Sequence, residues 1–445
     1  MPKSSDRPNV IFILTDDQGP WAAGCYGNRE IRTPNLDRLA VTGTRFDNFF
    51  VAIPVCSPSR ATFLTGRIPS QHGIHEYLRP DLDAVDAPEL LGAEVAYTDV
   101  LAANGYYCGL SGKWHMGSAF RPQHGLQFWY AHQKGGGDYN AAPMVRDGKG
   151  IIEDGYITDI ITDEALGFLD RQEGDVPFYL SVHYTAPHSP WTGHPQDIVD
   201  SYDDCAFESC PQEPRHPWAI SLTDRCLGDR ESLKGYFAAV TAMDANVGRI
   251  LDRVDELGIA EDTLICFFSD NGFSCGHHGF WGKGNGTFPR NMYENSVKVP
   301  AIISHPGRIP AGATTDAMVS AYDFLPTLLD YLDLPLPAAQ NLPGSSFLPV
   351  LLGEQEAHNE QVVIYDEYGP VRMIRTEDWK YIYRHAHGPD EMFDLTTDPD
   401  ERVNLAYEDD HQDTRRELRS RLDEWFAQYV IPEKDGLRTN SEYWR

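Results

Sequence analysis

Six residues near the start of the chain, N-V-I-F-I-L at 9–14, leave little freedom to whatever is built around them. An uninterrupted apolar run rich in β-branched residues has no polar face to show to water. It reads as a strand covered on both sides, the situation inside a parallel sheet with helices on both faces. The pattern recurs along the chain. Helical stretches at about 95–104, 158–171 and 232–257 lead to G-Y-Y-C-G-L-S-G-K-W-H, P-F-Y-L-S-V-H-Y and T-L-I-C-F-F-S-D, and V-P-A-I-I-S follows at 299–304. T-P-N-L-D-R-L-A at 33–40 places proline at the first position of another helix. Buried strands alternating with helices make a doubly wound α/β sheet, whose ligands sit at the carboxyl ends of its strands. The polar residues gather at those ends: Asp16 and Asp17, Lys113 and His115, His183 and His188, Asp270 and Asn271.

After D-L-P-L-P-A-A-Q-N-L-P-G the texture changes. Short alternating runs (V-V-I-Y-D-E-Y, V-R-M-I-R, W-K-Y-I-Y-R) suggest antiparallel strands, and a helix is expected over about 411–429. The division expected is one domain over 1–335, a linker at about 333–344 and a smaller α+β domain over 345–445.

Charge narrows the partners. A net charge of -30 over 445 residues argues against a nucleic-acid backbone or an anionic membrane surface, both of which need a basic face. No stretch approaches the roughly 18 apolar residues of a membrane helix, and M-P-K-S-S-D-R-P-N-V-I-F has no apolar leader segment. A cytoplasmic protein is expected, unless a leader has been removed. Eight cysteines without a C-x-x-C pair are not a disulfide framework. Cys108 and Cys266 lie in strand-like runs and read as core thiols, whereas Cys205, Cys210 and Cys226 occupy a polar, proline-rich stretch and pair only on meeting an oxidant.

Asp16, Asp17, Asp270 and Asn271 offer hard oxygen donors from two strand ends, which suits Ca²⁺ or Mg²⁺ better than zinc. The plainer alternative is that paired acids cap a strand or open a helix. Lys113 and His115 share one side of an extended segment, Lys283 sits in the glycine-rich loop W-G-K-G-N-G, and His188 sits between prolines in A-P-H-S-P. Singly these are ordinary surface or structural residues. Together with a cation they form a positive pocket for an anionic group. Cys56 precedes S-P-S-R-A-T-F-L-T-G, a helix expected to begin just after it, so the thiol faces the pocket from a helix N-terminus. A thiolate nucleophile, a buried thiol and a modified residue all remain open at this point.

The stretch C-S-P-S-R-A-T-F-L-T-G-R resembles the signature of the type I sulfatases of the alkaline phosphatase-like superfamily, in which C-x-P-S-R directs oxidation of the cysteine to formylglycine. The resemblance covers nearly the whole chain, through T-D-D-Q-G, G-K-W-H-M-G, A-P-H-S-P, S-D-N-G, W-G-K-G and D-F-L-P-T-L-L-D to F-D-L-T-T-D-P-D-E-R-V-N-L. One departure is Cys108, where the family usually has Ser or Thr. The resemblance implies an α/β/α sandwich with a large mixed, mostly parallel sheet and a smaller C-terminal α+β domain. It implies sulfate-ester hydrolysis by a hydrated formylglycine at Cys56 (3-oxoalanine), one hydroxyl attacking sulfur and the second later expelling sulfate. Arg60 would orient that group, and Asp16, Asp17, Asp270, Asn271 and the modified Cys56 would bind Ca²⁺, with Mg²⁺ the alternative. Lys113, Lys283 and His188 would hold sulfate oxygens, with His115 assisting the diol and His188 or Lys283 protonating the leaving oxygen. A formylglycine-generating enzyme is the implied maturation partner.

Loops around the pocket hold candidate specificity residues: His72, His75 and Arg79 in Q-H-G-I-H-E-Y-L-R-P, His183, Trp191, and His277, His278 and Trp281 in H-H-G-F-W, with Arg290 nearby. Tryptophans that stack on sugar rings and histidines that bond hydroxyls point to a sulfated mono- or oligosaccharide, although half such a set can be ordinary loop packing. Two rivals stand beside this reading: a phosphonate monoester or phosphodiester hydrolase of the same superfamily, and a non-catalytic binder of sulfated glycans.

Overall fold

A computed structural model describes residues 7–78, 85–172, 176–338, 341–365 and 369–438. The run at 9–14 forms the strand Asn9–Thr15, parallel to Phe178–His183 on one side and to Thr263–Ser269 on the other. Its side chains alternate between two cores. Val10, Phe12 and Leu14 enter one, with Phe63, Tyr97, Phe268 and Phe324, while Ile11 and Ile13 enter the other, with Ile161, Val182, Tyr236 and Phe267. Both faces are covered, which is why no position from Val10 to Leu14 is polar. The Phe12 ring has those of Phe324, Phe268 and Phe63 at 5.0, 5.6 and 5.9 Å. Truncating a ring so enclosed costs about 3–5 kcal/mol.

Ten strands make the large sheet, in the order 313–315, 44–46, 301–304, 263–269, 9–15, 178–183, 107–113, 128–132, 143–146, 149–152. The centre, from 263–269 to 128–132, is parallel. Ala301–Ser304 runs antiparallel to both its neighbours, and Pro143–Arg146 and Lys149–Ile152 close the far edge as an antiparallel hairpin. Helices Cys56–Thr65, Tyr97–Ala103 and Phe324–Tyr331 cover the first core, and Pro34–Thr42, Ile157–Asp170 and Arg230–Glu256 cover the second. The architecture is the expected α/β/α sandwich on a mixed, mostly parallel sheet. The longest helix opens at Asp229, whose carboxylate accepts the Ser232 N–H at 2.9 Å and so satisfies one of the free donors of its first turn. No helix of the described residues is long and apolar enough to cross a membrane.

The smaller sheet orders Gln361–Tyr365, Val371–Thr376, Trp379–Arg384 and Glu391–Asp394 antiparallel. Three of these strands match the alternating runs in the sequence, and the fourth, E-M-F-D, is too short to carry a visible alternation. One face receives Leu418, Leu422 and Phe426 of the helix Gln412–Tyr429. The other packs Val362, Ile364, Met373 and Ile382 against Phe50, Phe280, Met292 and Val297 of the main body, so the two parts share a core. Lys380 lies buried in that seam, its Nζ 2.6 Å from Glu401 Oε1, 2.6 Å from Glu294 Oε1 and 2.9 Å from the Met292 carbonyl.

Candidate active site

The sheet delivers its polar residues to one place. Register aligns Leu14 with His183 and Thr15 with Ser269, so Asp16, Asp17, Asp270 and Asn271 leave neighbouring strands at the same level. Asp17 takes a left-handed backbone conformation, φ 65°, which turns the chain sharply and sets its carboxylate beside that of Asp16; its carbonyl is held by the Tyr236 hydroxyl at 2.8 Å. Lys113 ends the strand Tyr107–Lys113, and His115 follows in a second left-handed residue, φ 53°. Opposite them stands the helix Cys56–Thr65, which begins on the cysteine rather than after it. Pro58, its third residue, removes an N–H that has no partner within the helix, so the earlier start costs no hydrogen bond.

The side chains interlock. Cys56 Sγ lies 3.3 Å from Asp16 Oδ1 and receives the Lys283 ammonium at 2.7 Å. Lys283 Nζ also donates to Asp17 Oδ1 at 2.6 Å and reaches Asn271 Oδ1 at 3.3 Å. Lys113 Nζ donates to Asp16 Oδ2. Arg60 donates through Nε to Asp270 Oδ2 at 2.8 Å and through Nη1 to the Lys113 carbonyl at 3.1 Å. His188 Nε2 stands 3.9 Å from Asp17 Oδ2. His115 Nε2 lies 3.1 Å from the Leu78 carbonyl, while its buried Nδ1 has no hydrogen-bond partner.

Three carboxylates and three cations thus share a nearly dry space. Burial raises the Asp16 carboxyl, but Lys113, His188, Lys283 and Arg60 more than offset it and hold the group well below the usual range. Asp270 goes the other way: burial and then the nearby Asp16 charge push it up to about 7. Burial opposes the Lys283 charge, yet Asp17, Cys56, Asp16 and Asp270 outweigh it and raise that ammonium well above its ordinary value. Burial and then Asp16 push the Cys56 thiol up to about 12, against the opposing pull of Lys113 and Lys283. Burial and Lys113 keep His115 neutral.

The residues fit a divalent cation. Oxygens of Asp16, Asp17 and Asp270 and the sulfur of Cys56 lie within 4.8 Å of one another, all buried. Asp270 Oδ1 is buried without a hydrogen bond, an acceptor that the protein itself does not satisfy. Carboxylates with the Asn271 amide oxygen make a hard, oxygen-rich donor set.

Above this floor opens a cavity of about 390 Å³. Cys56, Asp17, His115, His188, Lys283 and Trp191 all line it, as expected. Other expected residues do not. His183 stands behind Lys113, its Nδ1 3.0 Å from the Lys113 carbonyl. His72 is buried, with Nδ1 receiving the Ile74 N–H at 3.1 Å. His75 packs against Gly436 of the C-terminal segment. His278 stacks on Tyr293 at 3.9 Å, and His277 packs on Trp21 at 4.9 Å. Trp281 is fully buried against Trp191 at 5.0 Å and braces the wall from behind. Arg79 lies outside the described residues. The sequence reading missed Tyr77, Ile220, Leu222, Phe273 and the loop at 134–136, which line the cavity as well. The one local signal was the run K-G-G-G after the strand Phe128–His132, since glycines mark close backbone approach.

Comparison with known proteins agrees with this geometry. Residues 8–334 match the family model described as Sulfatase, and residues 276–428 match that of the C-terminal part of N-sulphoglucosamine sulphohydrolase. An N-acetylglucosamine-6-O-sulfatase of Bacteroides thetaiotaomicron is 30% identical, over 98% of this chain and 89% of that protein. Human arylsulfatase A is 30% identical over 89% of this chain and 83% of that one. A solved structure in complex with its substrate, D-glucosamine-2-N,6-O-disulfate, superimposes with a TM-score of 0.82 at 28% identity, covering 96% of this chain and 99% of that one.

Proposed function

The chain belongs to the sulfatase family, and from that premise we propose that it hydrolyses a sulfate monoester carried by a carbohydrate. The observation that carries the reading is Cys56 itself. It begins a buried helix at the bottom of the cavity, within contact distance of Asp16 and Lys283 and among three carboxylates that fit a divalent cation.

Oxidised to formylglycine, Cys56 would supply a hydrated aldehyde as nucleophile, and Ca²⁺ held by Asp16, Asp17, Asp270 and Asn271 would supply Lewis-acid charge. The remaining tasks fall to the chain's own groups. Lys283, in the cavity lining, presents its ammonium to an anion bound over Cys56, and Lys113, buried on Asp16 behind it, would add positive charge that stabilises the sulfate oxygens. Arg60 cannot lose its proton and fixes both Asp270 and the Lys113 carbonyl. Burial and Lys113 keep His115 neutral; with Nε2–H given to the Leu78 carbonyl, its buried Nδ1 has a free lone pair that would accept a proton from the nucleophile. His188, partly exposed in the cavity wall, protonates the leaving oxygen. Trp191, Phe273 and Tyr77 offer aromatic surface to the faces of a sugar. Relatives named for N-acetylglucosamine-6-sulfate and for ulvan support the carbohydrate substrate. The motif C-S-P-S-R supports maturation by a formylglycine-generating enzyme.

The test joins two measurements on protein from its own host. The peptide carrying Cys56 is expected to weigh less than its cysteine form by the change from CH₂SH to CHO. The same protein is expected to release sulfate from sulfated sugars, and Cys56→Ala to abolish the release. Turnover of phosphonate or phosphate diesters in preference to any sulfate ester would overturn the proposal.

A further inference from the structure

The cavity holds one cation that this chemistry does not use. Lys134 lines it, at the head of the sequence K-G-G-G, and its backbone is tightly held. His132 Nδ1 lies 2.8 Å from the Lys134 carbonyl and 3.1 Å from its N–H nitrogen. The next two residues rest on the imidazoles of the site. A Cβ at Gly135 would fall 2.2 Å from His115 Cε1, and one at Gly136 would fall 3.1 Å from His188 Cε1 and Nδ1. The backbone that carries Lys134 is therefore held at the edge of the cavity by residues of its floor and wall, while the lysine side chain itself is exposed at the rim.

Its charge is unmatched. Each deep cation meets a carboxylate: Lys113 meets Asp16, Arg60 meets Asp270 and Lys283 meets Asp17. The Lys134 ammonium makes no ion pair or hydrogen bond among the described residues. In a chain of net charge -30, this exposed ammonium at the cavity rim has no carboxylate among the described residues to neutralise it and keeps its charge for a ligand. The cavity wall is otherwise mostly apolar, with Tyr77, Leu78, Ile220, Leu222 and Phe273. A sulfate bound over Cys56 is served by the deep cations, so an ammonium at the edge faces a different part of the ligand.

We propose that Lys134 binds a second anionic group of the substrate, a further sulfate or a carboxylate on the same or the adjoining sugar, and so selects doubly anionic saccharides. This rests on the carbohydrate sulfatase reading above. A charge-assisted hydrogen bond of this kind changes affinity by about 10- to 100-fold.

The experiment compares metal-loaded, formylglycine-bearing wild type with Lys134→Ala and Lys134→Arg. Substrates are singly sulfated neutral sugars, the same sugars with a second sulfate, and disaccharides in which a uronate adjoins the sulfated unit. The wild type is expected to favour one doubly anionic series by about 10-fold or more in kcat/KM. Lys134→Ala is expected to erase most of that preference through KM, and Lys134→Arg to keep it. The favoured series identifies the second anion as sulfate or carboxylate. No preference in the wild type, or a preference unchanged in Lys134→Ala, overturns the proposal. Calorimetric binding of the same sugars gives the selectivity ratio without turnover. A protein that hydrolyses no sulfate ester thus counts against the sulfatase reading, while the binding ratio still decides the role of Lys134.

Discussion

Gly135 shows how a residue without a side chain positions the base proposed above, His115. The His115 ring occupies the volume a Cβ would need, 2.2 Å from Cε1 and 2.4 Å from Nε2. Gly135→Ala must push that ring off the Leu78 carbonyl or move the loop that carries Lys134. Overpacking of this sort costs about 1–3 kcal/mol. We expect kcat/KM on a sulfated sugar to fall at least about 10-fold, as loss of a positioned base implies, while the folded protein remains cooperative in a thermal melt. An unaltered rate would show that His115 has no defined position to lose. The residue scale is also where the sequence was least legible. Asp16, Asp17, Lys113 and Asp270 announce themselves because each follows an apolar run. Trp191 and Trp281 look alike in sequence, yet one faces the cavity and the other is sealed behind it. Which side of a wall a ring takes depends on partners such as Phe273, and no local pattern encodes that. The glycines of K-G-G-G were visible, but their reason lies in His115 and His188, distant in the chain.

Elements were legible to the extent that their causes are local. The buried strands and the helix Arg230–Glu256 follow from period and capping. The strand Glu391–Asp394 escapes, because four residues hold too little alternation and it forms by pairing with Trp379–Arg384. The seam between the sheets was equally hidden, since Lys380 reads as a surface residue of W-K-Y until Glu294 and Glu401 arrive from elsewhere. Lys380→Met leaves the buried Glu401 carboxylate without its ammonium, while Glu294 keeps Lys298 and Arg375. Removing one partner of a buried ion pair costs about 3–5 kcal/mol, and we expect a loss of that size in denaturant unfolding. A variant as stable as wild type would mean the seam is held by its apolar contacts alone.

Across the whole molecule, buried histidines tie stability to pH. Burial lowers His194 and His277 to about 4 against an ordinary value near 6.5. The folded protein keeps both neutral where the unfolded chain binds protons. Their contribution is complete above about pH 6.5 and is lost as pH falls through that window, by up to about 1.4 kcal/mol per pH unit for each. We expect the urea midpoint to fall between about pH 6.5 and 5, above the range in which ordinary carboxylates titrate, and the slope to lessen in His277→Gln. A midpoint flat across that interval would refute the assignment.

The helix that opens the active site carries a consequence in time. All ten residues of Cys56–Thr65 are buried; Cys56 is 3% and Arg60 1% exposed. The letters C-S-P-S-R are therefore readable only while the chain is still unfolded. We expect a formylglycine-generating enzyme, which must grip the whole segment, to convert Cys56 in the unfolded chain and to leave the folded, unconverted protein unmodified. The conversion proposed for Cys56 would therefore fall in the chain's first moments, and a molecule that folds before it is edited would close over its own unfinished nucleophile.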